Sequence, residues 1–312
     1  MDGATQPAAR AEAPAGIADH RESYPDPQLS RAEDAEIART LGQLAPDRDL
    51  GALLDEHWRL VGKRPELAAR FTARELTAGA QTEAVVEAIE AARGRAVEPG
   101  DRVLEVGCGT AALSAALAAR GAEVVASDVS LRWLVLARKR LAGSDVELVA
   151  CAAEKLPFEA DCFDLVVATD VVEHVADPDR FVGESARVLR PGGLLFLSTP
   201  NRYSLGLEPH VRLWGVGYLP RPLAERYVQA VRKSSYSHVR LLSAGALERL
   251  LRRHGLEPEI VTPAVPDATR ALYSGPELRL VDAYNRARTF PPARALLRAV
   301  GPFFHVFGGK PA

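Results

Sequence analysis

The apolar residues change their period near residue 100, and that change predicts the architecture. Between residues 31 and 93 they recur at helical spacing. Leu50, Leu53, Leu54, His57, Trp58 and Val61 fall along one face, as do Val85, Val86, Ile89 and Ala92. Gly94 and the pair Pro99-Gly100 then interrupt the pattern. From Arg102 onward, short apolar runs alternate with helical segments. Residues 103–106, 123–127, 146–150, 165–168 and 194–198 read as strands, and 111–120 and 131–141 as helices. Asp177 and Pro178 open a further helix as N-cap and first-turn proline. Such alternation predicts an α/β fold: a Rossmann-like parallel sheet with helices on both faces.

After residue 200 the order breaks. Residues 201–242 carry aromatics and arginines. A helix follows over 244–254, closed by Gly255, and a strand near 259–261. An irregular-to-helical stretch runs to Pro302, and 303–307 reads as a last strand. The expected organisation has a mobile tail over 1–30, rich in Ala, Pro and charge. A helical cap follows over 31–95, then a main domain over 96–312 with insertions at 201–242 and 263–302.

Composition narrows the function. With 312 residues, 47% of them apolar, the chain can bury one large α/β core with attachments. The net charge of −2, without a long Lys/Arg run, leaves no nucleic-acid footprint. Three cysteines (Cys108, Cys151 and Cys162) lack C-x-x-C spacing and are too few for a disulfide scaffold. The residues at the N-terminus hold no apolar run of the signal-peptide kind, and no stretch approaches ~18 uninterrupted apolar residues. A cytoplasmic location with no transmembrane segment is the expectation.

The first candidate chemistry lies between the strand at 103–106 and the helix after it. Gly107 and Gly109 let a ligand approach the backbone, and the helix start offers free N–H groups. Asp128 closes the next strand, the usual place for a carboxylate that accepts ribose hydroxyls. Residues 107–112 also fit the dinucleotide pattern G-x-G-x-x-G/A, so the residues alone leave an NAD enzyme open.

The run from Val103 to Asn201 resembles the class I S-adenosylmethionine-dependent methyltransferases, in their small-molecule branch. The segments that carry the likeness, in order, are VLEVGCGTA, SDVS, AEKLPF, FDLVVATDVVEHVADP and LRPGGLLFLSTPN, followed by HVRLLSAGALERLLRRHGL. With the last of these the match covers about two-thirds of the chain. The resemblance implies a mixed sheet of about seven strands, the last antiparallel, and S-adenosylmethionine as cofactor. It also implies roles. Glu105 faces the methionine ammonium, and Gly107 and Gly109 line the backbone. Asp128 binds the ribose, with Val129 beside the adenine, and Thr169 and Asp170 flank the sulfonium. Two positions depart from the family. Ala111 replaces a common third glycine, and Ala152 stands where many relatives carry an adenine-binding Asp. Glu154 or the backbone near Ala153 is left to serve the adenine.

At the acceptor end, Asp170, Glu173 and His174 are spaced to share a face of one helical turn. They resemble the acid-x-x-Glu-His pattern of quinone-biosynthesis O-methyltransferases, which implies a divalent metal. A base at His174, or a purely structural role, competes with that reading. Tyr203, Glu208, His210 and His238 are further polar candidates, with His210 the one taken as catalytic. Between residues 201 and 242, seven Arg/Lys face only Glu208 and Glu225. A helix over 223–233 would act as a lid, or its cations would attract an acidic or amphiphilic acceptor or a membrane surface. The predicted reaction is methyl transfer to a small molecule, most simply at oxygen. N- or C-methylation, and a silent cofactor-binding protein of the same fold, are the alternatives.

Overall fold

A computed structural model describes residues 17–24, 29–271 and 274–312. Eight strands form one sheet: β1 (Ala18–Asp19), β2 (Arg102–Val106), β3 (Glu123–Asp128), β4 (Glu147–Ala150), β5 (Phe163–Thr169), β6 (Leu189–Pro200), β7 (Glu257–Val261) and β8 (Phe303–Gly309). Their order across the sheet is β1-β4-β3-β2-β5-β6-β8-β7. All neighbours are parallel except β8, which runs antiparallel to β6 and β7. The chain winds from β2 outward to β4, then returns to lay β5 on the other side of β2. The crevice beyond the strand C-termini at that reversal is where ligands of open α/β sheets bind.

Helices cover both faces, as the alternation predicts. On one face, α4 (Gly79–Arg93) and α5 (Ala112–Ala118) bury Val86, Ile89, Leu113 and Leu117 against Val103, Leu165 and Phe196. On the other, α7 (Pro178–Val188) and α9 (Ala244–Arg253) bury Phe181, Val182, Leu247 and Leu251 against Leu104 and Val166. The start of α7 is held by the Asp177 carboxylate, which accepts from the backbone N–H groups of Asp179 and Arg180. The N-terminal cap consists of α1 (Arg31–Leu44), α2 (Leu50–Leu60), α3 (Pro65–Leu76) and α4. Leu41, Leu53 and Leu54 are fully buried against Leu134 and Val135 of α6 (Leu131–Arg140). Each such side chain stabilises the fold by about 1.5–3 kcal/mol relative to its exposed state.

Two expectations are corrected. The first concerns the tail: residues 17–24 supply β1, the edge strand of the sheet. Ala18 and Asp19 pair with Val149 and Ala150 at the sheet edge. Ile17 and Arg21 are buried. Arg21 is held by Asp19 and Asp34 and donates to the Val129 carbonyl. A charged residue in an Ala/Pro-rich tract reads as solvated, but its partners lie on distant segments. Residues 1–16 and 25–28, the rest of the expected tail, lie outside the described residues. The second correction concerns the lid. Helix α8 (Arg221–Arg232) packs Ala224 and Val228 into a small separate core with Leu213, Val216, Tyr236 and Val239. Arg232 donates to the carbonyls of Val211 and Arg212, so it braces the insertion itself. The later insertion carries α10 (Asp267–Arg270), α11 (Gly275–Ala287) and α12 (Pro291–Val300).

Candidate active site

The loop after β2 is tied to the loop after β3. Asp128 ends β3 and is buried; its two carboxylate oxygens accept from the N–H of Gly109 (3.0 Å) and of Ser130 (2.9 Å). Burial pushes its carboxyl up to about 6, against the pull of those two N–H groups. Glu105 sits at the end of β2, buried, and accepts from the Ser114 backbone N–H (2.9 Å) and hydroxyl. Burial pushes it up to about 7. An arriving cation would bring back its charge. Gly107 has φ +71°, and a Cβ there would collide with Val171. Ala111 is also left-handed, at φ 58°. The family's glycine there is therefore a backbone preference, and Ala costs about 1–2 kcal/mol of local strain.

These loops open onto a cavity of about 410 Å³ that includes Gly107, Gly109, Asp128, Val129, Ala153 and Glu154 in its lining. Glu154 accepts from the N–H of Ala176 (2.8 Å), so it already caps the following loop. The N-terminal cap supplies a wall that the helical pattern hides. His57, Trp58 and Phe71 line the cavity together with Trp133. Their rings are in contact, His57 with Trp58 at 4.5 Å and Trp58 with Phe71 at 5.3 Å. Burial pushes His57 down to about 3, so it is neutral. His57 Nδ1 and Trp58 Nε1 are buried without hydrogen-bond partners among the described residues. Both stand at core-like positions of α2, where sequence reads only packing.

At the other end of the cavity stand Asp170, His174 and His238. Asp170 has φ 55°, and the next turn begins only at Val171, whose carbonyl accepts from His174 N (2.8 Å). That break defeats the shared helical face expected of Asp170, Glu173 and His174. Asp170 accepts from Ser198 Oγ (3.2 Å) and lies 4.0 Å from Arg74 Nη2. Its side chain is 43% exposed, yet the surrounding protein still raises its carboxyl above the ordinary range. Glu173 is fully buried and takes a hydrogen bond from Thr199 (3.0 Å). Burial and the nearby Asp170 charge raise its carboxyl well above the ordinary range.

His210 comes in from the insertion. Its Nε2 lies 3.1 Å from His174 Nε2, and its Nδ1 lies 2.5 Å from Glu208 Oε1. Burial works against protonation of His210, but the carboxylates of Glu208, Glu173 and Asp170 together outweigh it and raise its pKa. His174 also stacks with His238 at 6.4 Å between centroids. Tyr203 stays outside, 38% exposed and packed against Tyr218. Thr169 and Glu105 line a second, larger cavity of about 770 Å³.

The sheet order, with the glycine loop and Asp128 at the chain reversal, defines a nucleotide-binding α/β fold of the methyltransferase type. Residues 104–197 match the family model for a methyltransferase domain. A ubiquinone biosynthesis O-methyltransferase of Chelativorans sp. (strain BNC1) is 33% identical over 200 residues, covering 62% of this chain and 70% of that one. A demethylmenaquinone methyltransferase of Clavibacter sepedonicus is 46% identical over 112 residues, covering 34% of this chain and 46% of that one. The chain thus spans less than half the length of this second relative. A solved structure from Galdieria sulphuraria, a candidate sarcosine dimethylglycine methyltransferase, shares the fold at TM-score 0.50 and 15% identity, covering 74% of this chain and 86% of its own. This chain belongs to the class I S-adenosylmethionine-dependent methyltransferases. Among the described residues, no helix is long and apolar enough to cross a membrane.

Proposed function

We propose that this protein transfers the methyl group of S-adenosylmethionine to an oxygen of a small, partly apolar acceptor. The observation that carries the reading is the chain Glu208–His210–His174, which ends in an imidazole lining the cofactor cavity beside Asp170. When bound, S-adenosylmethionine supplies a carbon already activated by its positive sulfur. The protein then has to align the acceptor and take its proton. Alignment supplies much of the rate. A hydroxyl also needs a base, which a neutral amine does not need before attack. His174 accepts that proton; His210, held by Glu208, orients the ring and shares the charge. Glu105 faces the cofactor's ammonium, Asp128 the ribose, and Val129 with the Ala153 backbone the adenine. The name of the first of those relatives, a ubiquinone biosynthesis O-methyltransferase, agrees with oxygen as the methylated atom.

The acid-x-x-Glu-His resemblance also implies a divalent cation, and the residues fit one in altered form. Glu173, His174 and His210, not Asp170, have ligand atoms within 4.8 Å of one another. Glu173 Oε1 is buried without a hydrogen-bond partner among the described residues. Two imidazoles and a carboxylate suit Zn²⁺ or Mn²⁺ better than the oxygen shell of Mg²⁺. Such an ion would acidify an acceptor hydroxyl, with Glu208 fixing the His210 tautomer from behind.

The test is release of S-adenosylhomocysteine with 4-methylcatechol and with its amine counterpart 4-methylaniline, the product identified by mass spectrometry. Methylation of the catechol oxygen is expected. Methylation of the aniline alone, or tight cofactor binding without turnover of either probe, counts against the proposal. Full activity in excess chelator removes the metal and leaves His174 as the base.

A further inference from the structure

Beyond Asp170 lies a second chamber of about 770 Å³. Its described lining shares one residue with the 410 Å³ cavity, and that residue is Asp170. Glu105, Thr169 and Ser198 stand on its inner side, so it opens onto the end of the site where the methyl group has to be delivered. The smaller cavity is the size of one drug-sized ligand, so the cofactor leaves little of it for an acceptor's body. Resting on the methyl-transfer reading above, we propose that the larger chamber is the acceptor site. It takes an uncharged, largely apolar molecule, and His305 recognises a polar group on that molecule away from the reacting hydroxyl.

The lining supports this chemistry. Ala84, Val85 and Ala88 of α4 give one apolar panel, and Val261, Pro263 and Phe303 give another. His305 stands on β8, opposite Ser198 of β6 and Val261 of β7. Its ring meets the edge of Phe196 at 5.1 Å. The imidazole makes no hydrogen bond to any described residue, though it is more than half shielded from solvent. Burial pushes it down to about 4, with the nearby Arg288 adding to the effect, so near neutral pH it is an uncharged donor and acceptor. A shielded polar group without a partner in the protein gains from a ligand that supplies one. The charges on the walls do not select an anion. Arg74 and Arg288 are set against Glu87, Glu105, Asp170 and Asp267. The basic stretch over 201–242 contributes none of the described lining of this chamber.

The experiment uses the full chain saturated with S-adenosylhomocysteine and titrated by calorimetry with 4-methyl-, 4-butyl- and 4-hexylcatechol. Protocatechuate serves as the anionic counterpart. Affinity should rise with alkyl length and be weakest for protocatechuate. Ala84→Trp, which fills the chamber, should lower 4-hexylcatechol affinity at least tenfold and leave S-adenosylhomocysteine affinity unchanged. His305→Phe should lower it severalfold for catechols bearing a second polar substituent, again with the cofactor unaffected. Should Ala84→Trp lose S-adenosylhomocysteine binding through misfolding, His305→Phe decides. Equal 4-hexylcatechol binding in wild type and Ala84→Trp, or, where His305→Phe decides, equal binding of the catechols bearing a second polar substituent in wild type and His305→Phe, or no alkylcatechol binding to the wild type, overturns the chamber assignment. Failure of the wild type to bind S-adenosylhomocysteine overturns the methyl-transfer reading instead.

Discussion

The two cavities that meet at Asp170 are built in different ways. The cavity proposed for the cofactor takes its polar contacts from three short loops that follow β2, β3 and β4, at Gly107–Gly109, Asp128–Ser130 and Cys151–Glu154. Those contacts involve backbone N–H groups and the buried carboxylate of Asp128, which welds two of the loops together. The larger chamber is assembled from α4, the ends of β5 and β6, residues 261–267, Arg288 and His305. Nothing local joins these pieces; only the packed sheet brings them together. A site made of strand-end loops tolerates little change, because each residue is fixed by the turn it sits in. A site made by tertiary packing can change its walls one at a time and keep its frame.

If that contrast holds, variants on either side should separate binding from turnover. His174→Asn should have the largest effect, lowering kcat by roughly 10²–10⁴-fold, the usual contribution of a positioned base. S-adenosylhomocysteine affinity should stay within twofold by calorimetry. A large loss of affinity instead would place His174 in the cofactor machinery. Asp128→Ala comes next, with cofactor affinity weakened by about 1.5–3 kcal/mol through loss of charge-assisted hydrogen bonds. The acceptor KM, measured at saturating cofactor, should not follow; if it does, the cavities are coupled and the contrast fails.

The pH dependence sharpens the same point. Burial raises Glu105 to about 7 and Asp128 to about 6 in the free protein. Below those values each carboxyl keeps a proton that the cofactor's ammonium and ribose must displace. Affinity should therefore rise with pH by up to a hundredfold per unit below about pH 6, where both protons are displaced, by up to tenfold per unit from there to about pH 7, and then level off. Stability of the free protein has the opposite slope. The unfolded chain releases these protons near pH 4 and the folded chain only near 6–7, so stability is lost as pH rises through that window. Melting temperatures with and without cofactor, taken from pH 5 to 8, should diverge; parallel curves would mean neither carboxyl meets the ligand. The smallest effect belongs to Ala111→Gly. Relief of the left-handed strain at φ 58° should raise stability by about 1 kcal/mol in denaturant titration. An unchanged midpoint would mean the loop already absorbs that strain.

The sequence pattern carries one side of this contrast better than the other. Strands β2 to β8 are legible because buried strands are short apolar runs bounded by glycine or charge. Glu105, Gly107, Gly109 and Asp128 are legible because turn geometry ties residue type to position. His57, Trp58 and His305 are not, since each sits where an apolar period expects packing. Glu208, His210 and His174 carry polar side chains in the right region, but their linkage across 36 residues depends on how the insertion folds back. Asp170 misleads, because its left-handed backbone removes it from the helical turn its spacing suggests.

The buried carboxylate of Asp34 in α1 bears on whether the cap can be exchanged. It accepts from Arg21, Arg132 and the Leu131 N–H, groups supplied by the sheet edge and by α6. Cutting the cap away would take the Asp34 counter-charge from the buried Arg132 and leave the buried Arg21 with Asp19 alone, a defect of several kcal/mol. The cap is therefore not a module that can be grafted from one relative onto another. A chimera that imports a foreign cap must also import the residues at 21 and 132. The wall that α3 and α4 give the larger chamber is inherited together with the domain beneath it.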